Sequence, residues 1–222
     1  MNNEELKKAI DFHRSLVRKE IESEIIVGKF IGQNSYKKDH VDLKDISSPE
    51  RPFLGKDAPD DLDSLYVTTF GLVNLKKPIA LAKAGYGADV VVGIELGANL
   101  VKNGLIKSVD EIADFLAKYK IGILDIFNEK EIEDGKKLNL RVYECIECSG
   151  LPNIGEPVCY FETGMISGIL RELTHKEVFA EEIRCWTSGY SFCHFNVEIK
   201  DKIRNGKKNH IIKDNELLIT HI

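Results

Sequence analysis

The chain has 222 residues, 43% of them hydrophobic and 30% charged, enough for one full domain with a sizeable core and an appendage but not for two large domains. A formal net charge of -5 argues against the clustered positive surface that nucleic acid requires. The lysine pairs Lys37-Lys38, Lys136-Lys137 and Lys207-Lys208 are interleaved with acids and read as solvated turns. The opening Met-Asn-Asn-Glu-Glu is acidic where a secretory signal is basic, and no apolar run reaches the length a bilayer span needs. The expected location is cytoplasmic, with no nucleic acid and no membrane as partner. Thiols stay reduced there, so the 5 cysteines read as metal ligands, catalytic groups or packing rather than a disulfide framework.

In chain order, Leu6, Ile10, His13, Val17 and Ile21 recur at intervals of three and four, which predicts an amphipathic helix from residue 3 to about 26. Its apolar face needs a partner, either the main domain or a second copy of the chain. His13 on that face reads as a packed residue, since no other donor stands at helical spacing from it. Residues 28–64 are rich in Asp, Lys and Ser and are broken by Pro49, Pro52 and Pro59, the pattern of a linker or long surface arm. The β-branched and aromatic stretch 65–75 predicts a strand.

Residues 78–103 predict a helix whose glycines, Gly85, Gly87, Gly93 and Gly97, imply close backbone approaches. Gly85-Tyr86-Gly87 fails as a dinucleotide loop because Val90 stands where the third glycine belongs. Ser108 and Glu111 form a capping-box pattern ahead of a short helix that Gly122 closes. Strands at 121–128 and 138–147 flank the turn Glu133-Asp134-Gly135. Val158, Phe161, Met165, Ile169 and Leu173 predict a helix over 157–173, and two more strands at 176–185 and 192–200 flank the loop 186–191. Leu217, Leu218, Ile219 and Ile222 suggest a docked final segment. The order predicts an α+β fold, an antiparallel β-sheet with helices packed on one face, plus the N-terminal helix and arm. The expected units are 1–64 (helix and arm), 65–200 (the domain) and 201–222 (a tail).

All five cysteines lie in the last third. Cys159, Cys185 and Cys193, with Glu182, supply sulfur and oxygen donors that can complete a four-coordinate shell around zinc. Buried cysteines acting as small hydrophobes are the competing reading. In an unbroken strand Glu182 and Cys185 point to opposite faces, so a bulge or the end of pairing near Arg184 must intervene, or Glu181 substitutes. Cys145 and Cys148 form the one Cys-x-x-Cys. If strand geometry persists through them they diverge, leaving Cys148 the more plausible extra ligand.

The segments Cys145-Ile-Glu-Cys148-Ser-Gly, Pro157-Val-Cys159-Tyr-Phe-Glu-Thr-Gly164 and Glu182-Ile-Arg-Cys185-Trp-Thr-Ser-Gly189-Tyr-Ser-Phe-Cys193-His-Phe resemble the 4-vinyl-reductase-type domain, a zinc-containing small-molecule-binding module found alone in archaea and in aromatic-responsive transcription activators. The resemblance implies zinc on Cys159, Glu182, Cys185 and Cys193, with Arg184 or His194 as cationic neighbours and a homodimer as the working unit. It also implies a small, apolar or aromatic ligand such as a hydrocarbon, against a wall of Tyr160, Phe161, Met165, Trp186 and Phe192. Four protein ligands leave zinc no open position, and the sequence shows no hydride or electron source, so the expected role is binding rather than catalysis, with no catalytic residue assigned. The alternatives are an assembly module, since the same fold resembles vesicle-tethering subunits, and a vinyl reductase-like enzyme.

Overall fold

The computed structural model describes residues 2–27, 36–39, 79–149 and 151–201. The expected strand at 65–75, most of the arm and the tail beyond Asp201 lie outside these residues. Four helices, α1 (Asn3–Val27), α2 (Ile79–Lys102), α3 (Asp110–Lys118) and α4 (Tyr160–Thr174), accompany four strands, β1 (Ile123–Ile132), β2 (Gly135–Tyr143), β3 (Glu177–Arg184) and β4 (Cys193–Lys200). The strands form one antiparallel sheet in the order β1-β2-β4-β3. This is the α+β architecture that the sequence predicts.

Alternation fixes which face of the sheet is dry. Cys193, Phe195, Val197 and Ile199 of β4 and Leu138, Leu140 and Val142 of β2 are buried on one face, and α2 and α4 cover it. Fully burying a side chain of this size contributes roughly 1.5–3 kcal/mol. A one-residue slip in either strand would turn all of them to the other face.

The two covering helices cross with their backbones in contact. A Cβ placed at Gly168 would fall within 3.0 Å of the carbonyl oxygen and Cα of Ile94, and one at Gly164 would meet Val90 in the same way. From the other side, a Cβ at Gly97 would lie 2.8 Å from the Ile169 amide nitrogen, and one at Gly93 2.8 Å from that of Met165. Both helices therefore present a Gly-x-x-x-Gly pair at the crossing. Gly87 has open space around it, so the expectation of close approach holds for the later glycines of α2 only.

Helix α1 docks on the opposite face. Leu6, Ala9 and Val17 join Ile123, Tyr143, Ala117 and Phe192 in a second apolar cluster. Arg14 reaches from the helix to Asp125, whose carboxylate accepts from Arg14 Nε at 2.9 Å and from the Tyr143 hydroxyl at 2.8 Å. Burial, and then the Asp125 charge, push the Tyr143 phenol well above its ordinary pKa, so it remains the donor. His13 stacks on the Tyr143 ring at 4.7 Å with the planes 6° apart, the packed position expected of it. The apolar face of α1 is thus satisfied within the chain.

Three local expectations shift. The capping box does not close around Ser108: the N-cap of α3 is Val109, and Glu111 reaches back to the Lys107 amide at 2.8 Å. Lys120, at φ 57°, takes the left-handed position after that helix, where Gly122 was expected to end it. β2 stops at Tyr143, four residues before the predicted end, because Glu144 turns to φ 51° and breaks the pairing.

Candidate metal centre

Four expected ligands arrive from separate elements. Cys159 is the N-cap of α4, Glu182 lies in β3, Cys185 follows the end of that strand, and Cys193 opens β4. Glu182 pairs with Phe195, a core-facing residue, so its carboxylate turns inward, while Glu181 is exposed. The register then shifts between Glu182 and Arg184. That bulge, followed at once by the end of the strand, returns Cys185 to the same side as Glu182. The loop after it is a tight knuckle. The Ser188 hydroxyl accepts from the Cys185 amide at 2.8 Å and donates to the Cys185 carbonyl at 2.9 Å, and Gly189 takes the left-handed φ of 103° that the reversal requires.

The donor atoms of Cys159, Glu182, Cys185 and Cys193 all lie within 4.8 Å of one another. Cys159 Sγ stands 3.5 Å from Cys185 Sγ and 3.6 Å from Cys193 Sγ. Sulfurs bound to one tetrahedral zinc at about 2.3 Å are separated by about 3.8 Å, so the thiols are already spaced close to the edges of a coordination tetrahedron. Glu182 Oε2 accepts from the Cys159 amide at 2.9 Å, and Oε1 is buried without a protein partner. A buried carboxylate oxygen left in this state costs free energy unless something else binds it. Donor chemistry, spacing and the orphaned oxygen all fit a metal ion.

Sequence reasoning undervalued Cys145. Because β2 ends at Tyr143, Cys145 to Ser149 form a turn closed by the Ser149 amide on the Cys145 carbonyl at 3.0 Å, and both cysteines of the Cys-x-x-Cys face inward. Cys145 Sγ lies 3.7 Å from Cys159 Sγ, and Cys148 Sγ lies 3.3 Å from Cys193 Sγ. The divergence expected of a continuous strand does not arise. Glu147 and Glu162 were also missed. Glu147 accepts from the amides of Phe161 and Glu162 at 3.1 and 3.0 Å, which supplies the first turn of α4 with a carboxylate from a distant turn. Glu162 Oε2 accepts from the Cys145 thiol at 3.0 Å, and Oε1 is buried without a partner.

The electrostatics are those of a site crowded with acids. Burial, and then the charge on Cys145, push the Glu147 and Glu162 carboxyls well above their usual range. Glu182 is raised likewise, by burial and then by Cys185. Burial raises the Cys148, Cys159 and Cys193 thiols. At Cys145 and Cys185 burial also opposes the thiolate, but hydrogen bonds from neighbouring thiols outweigh it and bring both well below the ordinary thiol value.

The two expected cationic neighbours stand on the far side of the sheet. His194 alternates with Cys193 and pairs with Arg141 and Arg184, and burial followed by those two charges lowers it to about 4, so it is neutral near pH 7. The Arg184 guanidinium lies over the Tyr190 ring at 5.0 Å. The expected ligand wall also divides. Met165 and Trp186 belong to the main core together with the thiols, and Phe161 packs at its margin. Tyr160 is half-buried beside it, whereas Phe192 belongs to the second cluster, under α1.

The fold and the inward thiol cluster define a class: a family model for the 4-vinyl reductase (V-4-R) domain matches residues 138–199, the stretch that supplies every cysteine of the site. The chain belongs to this 4-vinyl reductase domain family. Two curated relatives come from Methanocaldococcus jannaschii. The uncharacterized protein MJ1642 is 36% identical over 105 residues, 47% of this chain and 62% of the relative. The uncharacterized protein MJ0150 is 31% identical over 172 residues, 75% of this chain and 90% of the relative. Among solved structures, the phenol-responsive sensory domain of the transcription activator PoxR, determined with phenol, is similar with a TM-score of 0.44 and 14% identity, over 62% of this chain and 78% of that one. Among the described residues, no helix is long and apolar enough to cross a membrane.

Proposed function

We propose that the chain is a zinc-containing, non-catalytic small-molecule-binding protein in which the metal holds the domain together and the ligand is apolar or aromatic. The observation that carries the metal reading is the convergence of Cys159, Glu182, Cys185 and Cys193 from four places in the chain to within 4.8 Å, with Glu182 Oε1 buried and unpartnered. A thiolate-rich set favours zinc among the common divalent ions, and four protein ligands make the ion structural. The small-molecule reading rests on the 4-vinyl reductase domain and on the apolar surroundings of Met165 and Trp186 beside the metal loop. Five buried free thiols accord with a reducing compartment, the cytoplasm. The proposed units are the N-terminal helix and arm (1–64), the domain (65–200) and the tail (201–222).

The homodimer is proposed on a different surface from the one the sequence suggested, since α1 spends its apolar face on its own domain. Val91, Val92 and Leu96 of α2 are exposed at 59%, 57% and 39%, an apolar strip that a second copy would cover. The same strip favours the second reading, an assembly module with a protein partner.

Native mass spectrometry of protein purified without chelator tests these readings together through bound metal, retained ligand and subunit number. Zinc at one or more equivalents per chain, together with a thermal shift from members of a panel of phenols, hydrocarbons and porphyrin precursors, supports the proposal. No transition metal overturns the zinc reading. No shift across the panel transfers the function to assembly, and turnover of a panel member with added reductant restores a vinyl reductase-like enzyme.

A further inference from the structure

We infer that the centre is binuclear: two divalent ions share Cys159 and Cys193 as bridging thiolates, with Cys145 and Cys148 completing one tetrahedron and Glu182 and Cys185 the other. The inference rests on the metal reading above and extends it from one ion to two.

Two groups of donors overlap here. Cys145, Cys148, Cys159 and Cys193 have their sulfurs within 4.8 Å of one another, and so do the donor atoms of Cys159, Glu182, Cys185 and Cys193. Each group is a complete four-coordinate set for zinc or a similar ion. Two tetrahedra that share an edge consume six donors, and the five thiols and Glu182 supply that number. The shared edge is Cys159 to Cys193, at 3.6 Å. On its flanks, Cys145 lies 3.7 Å from Cys159 and Cys148 lies 3.3 Å from Cys193, while Cys185 lies 3.5 Å from Cys159 on the other side. A single ion would leave Cys145 and Cys148 fully buried against its ligands with no metal of their own.

Charge balance does not oppose the second ion. With one dication on three thiolates and Glu182, and with Cys145 and Cys148 protonated, the centre carries two net negative charges. Exchanging those two thiol protons for a second dication leaves the same two. The cationic side chains that could have served instead, Arg141 and Arg184, lie on the far face of the sheet. Glu162, 1% exposed, places Oε2 3.0 Å from Cys145 Sγ and leaves Oε1 buried without a partner beside the same tetrad. Its carboxyl group is therefore positioned to orient Cys145 as a ligand. An iron–sulfur cubane would not suit this spacing, because its cysteines bind separate iron corners and stand farther apart than ligands that share one ion.

The test is a cobalt(II) titration of the full-length metal-free chain, followed by absorption and electron paramagnetic resonance, with native mass spectrometry of the zinc-loaded chain as an independent count. The expected result is two equivalents. The high-spin cobalt signal should grow to the first equivalent and fall between the first and second, as bridging sulfur couples the two ions. A Cys145→Ser, Cys148→Ser double variant should retain one equivalent with a tetrahedral thiolate spectrum and an undiminished resonance signal. Saturation of the unaltered chain at one equivalent, with an uncoupled signal and one zinc by mass, overturns the binuclear centre and leaves the single-zinc reading standing. Binding of neither metal overturns both. Should the double variant not fold, the coupling and the mass of the unaltered chain decide the question.

Discussion

Alanine at Gly168 and alanine at Gly87 should change stability in opposite directions. Both residues sit inside helices, where glycine is about 1 kcal/mol less favourable than alanine, so propensity alone makes both substitutions stabilising. At Gly87 nothing lies within 4 Å of the new methyl, and the propensity gain should appear as a rise in melting temperature of about 2–4 °C. At Gly168 the methyl would lie 2.9 Å from Ile94 Cα and closer still to the Ile94 carbonyl oxygen. Carbon atoms pack at about 3.5–4.0 Å, so α2 and α4 must separate by on the order of 1 Å. Both neighbours are backbone and cannot rotate aside. Overpacking of this kind costs about 1–3 kcal/mol and here works against the propensity gain, so the net change should be a loss of up to about 2 kcal/mol, or several degrees in melting temperature. Thermal and urea unfolding of the two variants beside the parent chain measure both signs. A Gly168→Ala variant stabilised as much as Gly87→Ala would refute the backbone-contact crossing.

Chelation under reducing conditions should lower the melting temperature reversibly, with zinc restoring it, because the unfolded chain has no preformed site; an unchanged midpoint after verified metal loss would make the centre incidental. Cys185→Ser should reduce bound metal, measured by elemental analysis, more than Ser191→Ala, which removes a hydroxyl that donates to Glu20 at 2.6 Å away from the thiols. Asp125→Ala should destabilise by roughly 2–4 kcal/mol, since it strands the Tyr143 hydroxyl and the Arg14 guanidinium, and a double-mutant cycle with Arg14→Met should give a coupling above about 1 kcal/mol. A coupling near zero would mean that α1 does not dock through this pair. Glu147→Ala should cost about 1–2 kcal/mol by uncapping α4, a loss that Glu147→Gln should partly recover in denaturant titrations.

Periodicity made most of the fold legible, because each described helix and strand buries one face against a single layer. The spacing of Leu6, Ile10, His13 and Val17 gave α1 within a residue of its observed end, and the alternation in β4 gave its buried face. What the helix docks against was not legible, since an apolar stripe does not name its partner; the pairing of Arg14 with Asp125 spans 111 residues and leaves no local signal. The ligand set was legible as a spacing, and the bulge after Glu182 followed from parity once both Glu182 and Cys185 were required at one ion. Cys145 was undervalued because apolar and charged residues alternate through Glu144 without a glycine or proline to mark the end of β2. A left-handed Glu144 is not a residue that sequence reading flags.

The metal and any ligand beside it should be energetically linked through the loop that follows Cys185. Trp186 enters the main core from this loop, and the Thr187 carbonyl receives the amides of Ile154 and Gly155 at 2.8 and 3.0 Å, while its hydroxyl donates to the Glu156 carbonyl at 2.8 Å. One end of the loop is the ligand Cys185 and the other approaches the ligand Cys193, so an ion on both fixes the span that carries Trp186. With α2 and α4 in backbone contact, little space remains between the helices themselves, and an apolar ligand must be housed between the helix layer and the sheet, the region that Met165 and Trp186 occupy. Loosening the metal loop would therefore loosen one wall of that region. Because such coupling is reciprocal, a ligand that packs against Trp186 should also slow the loss of metal to a chelator by the same free energy with which the metal tightens the ligand.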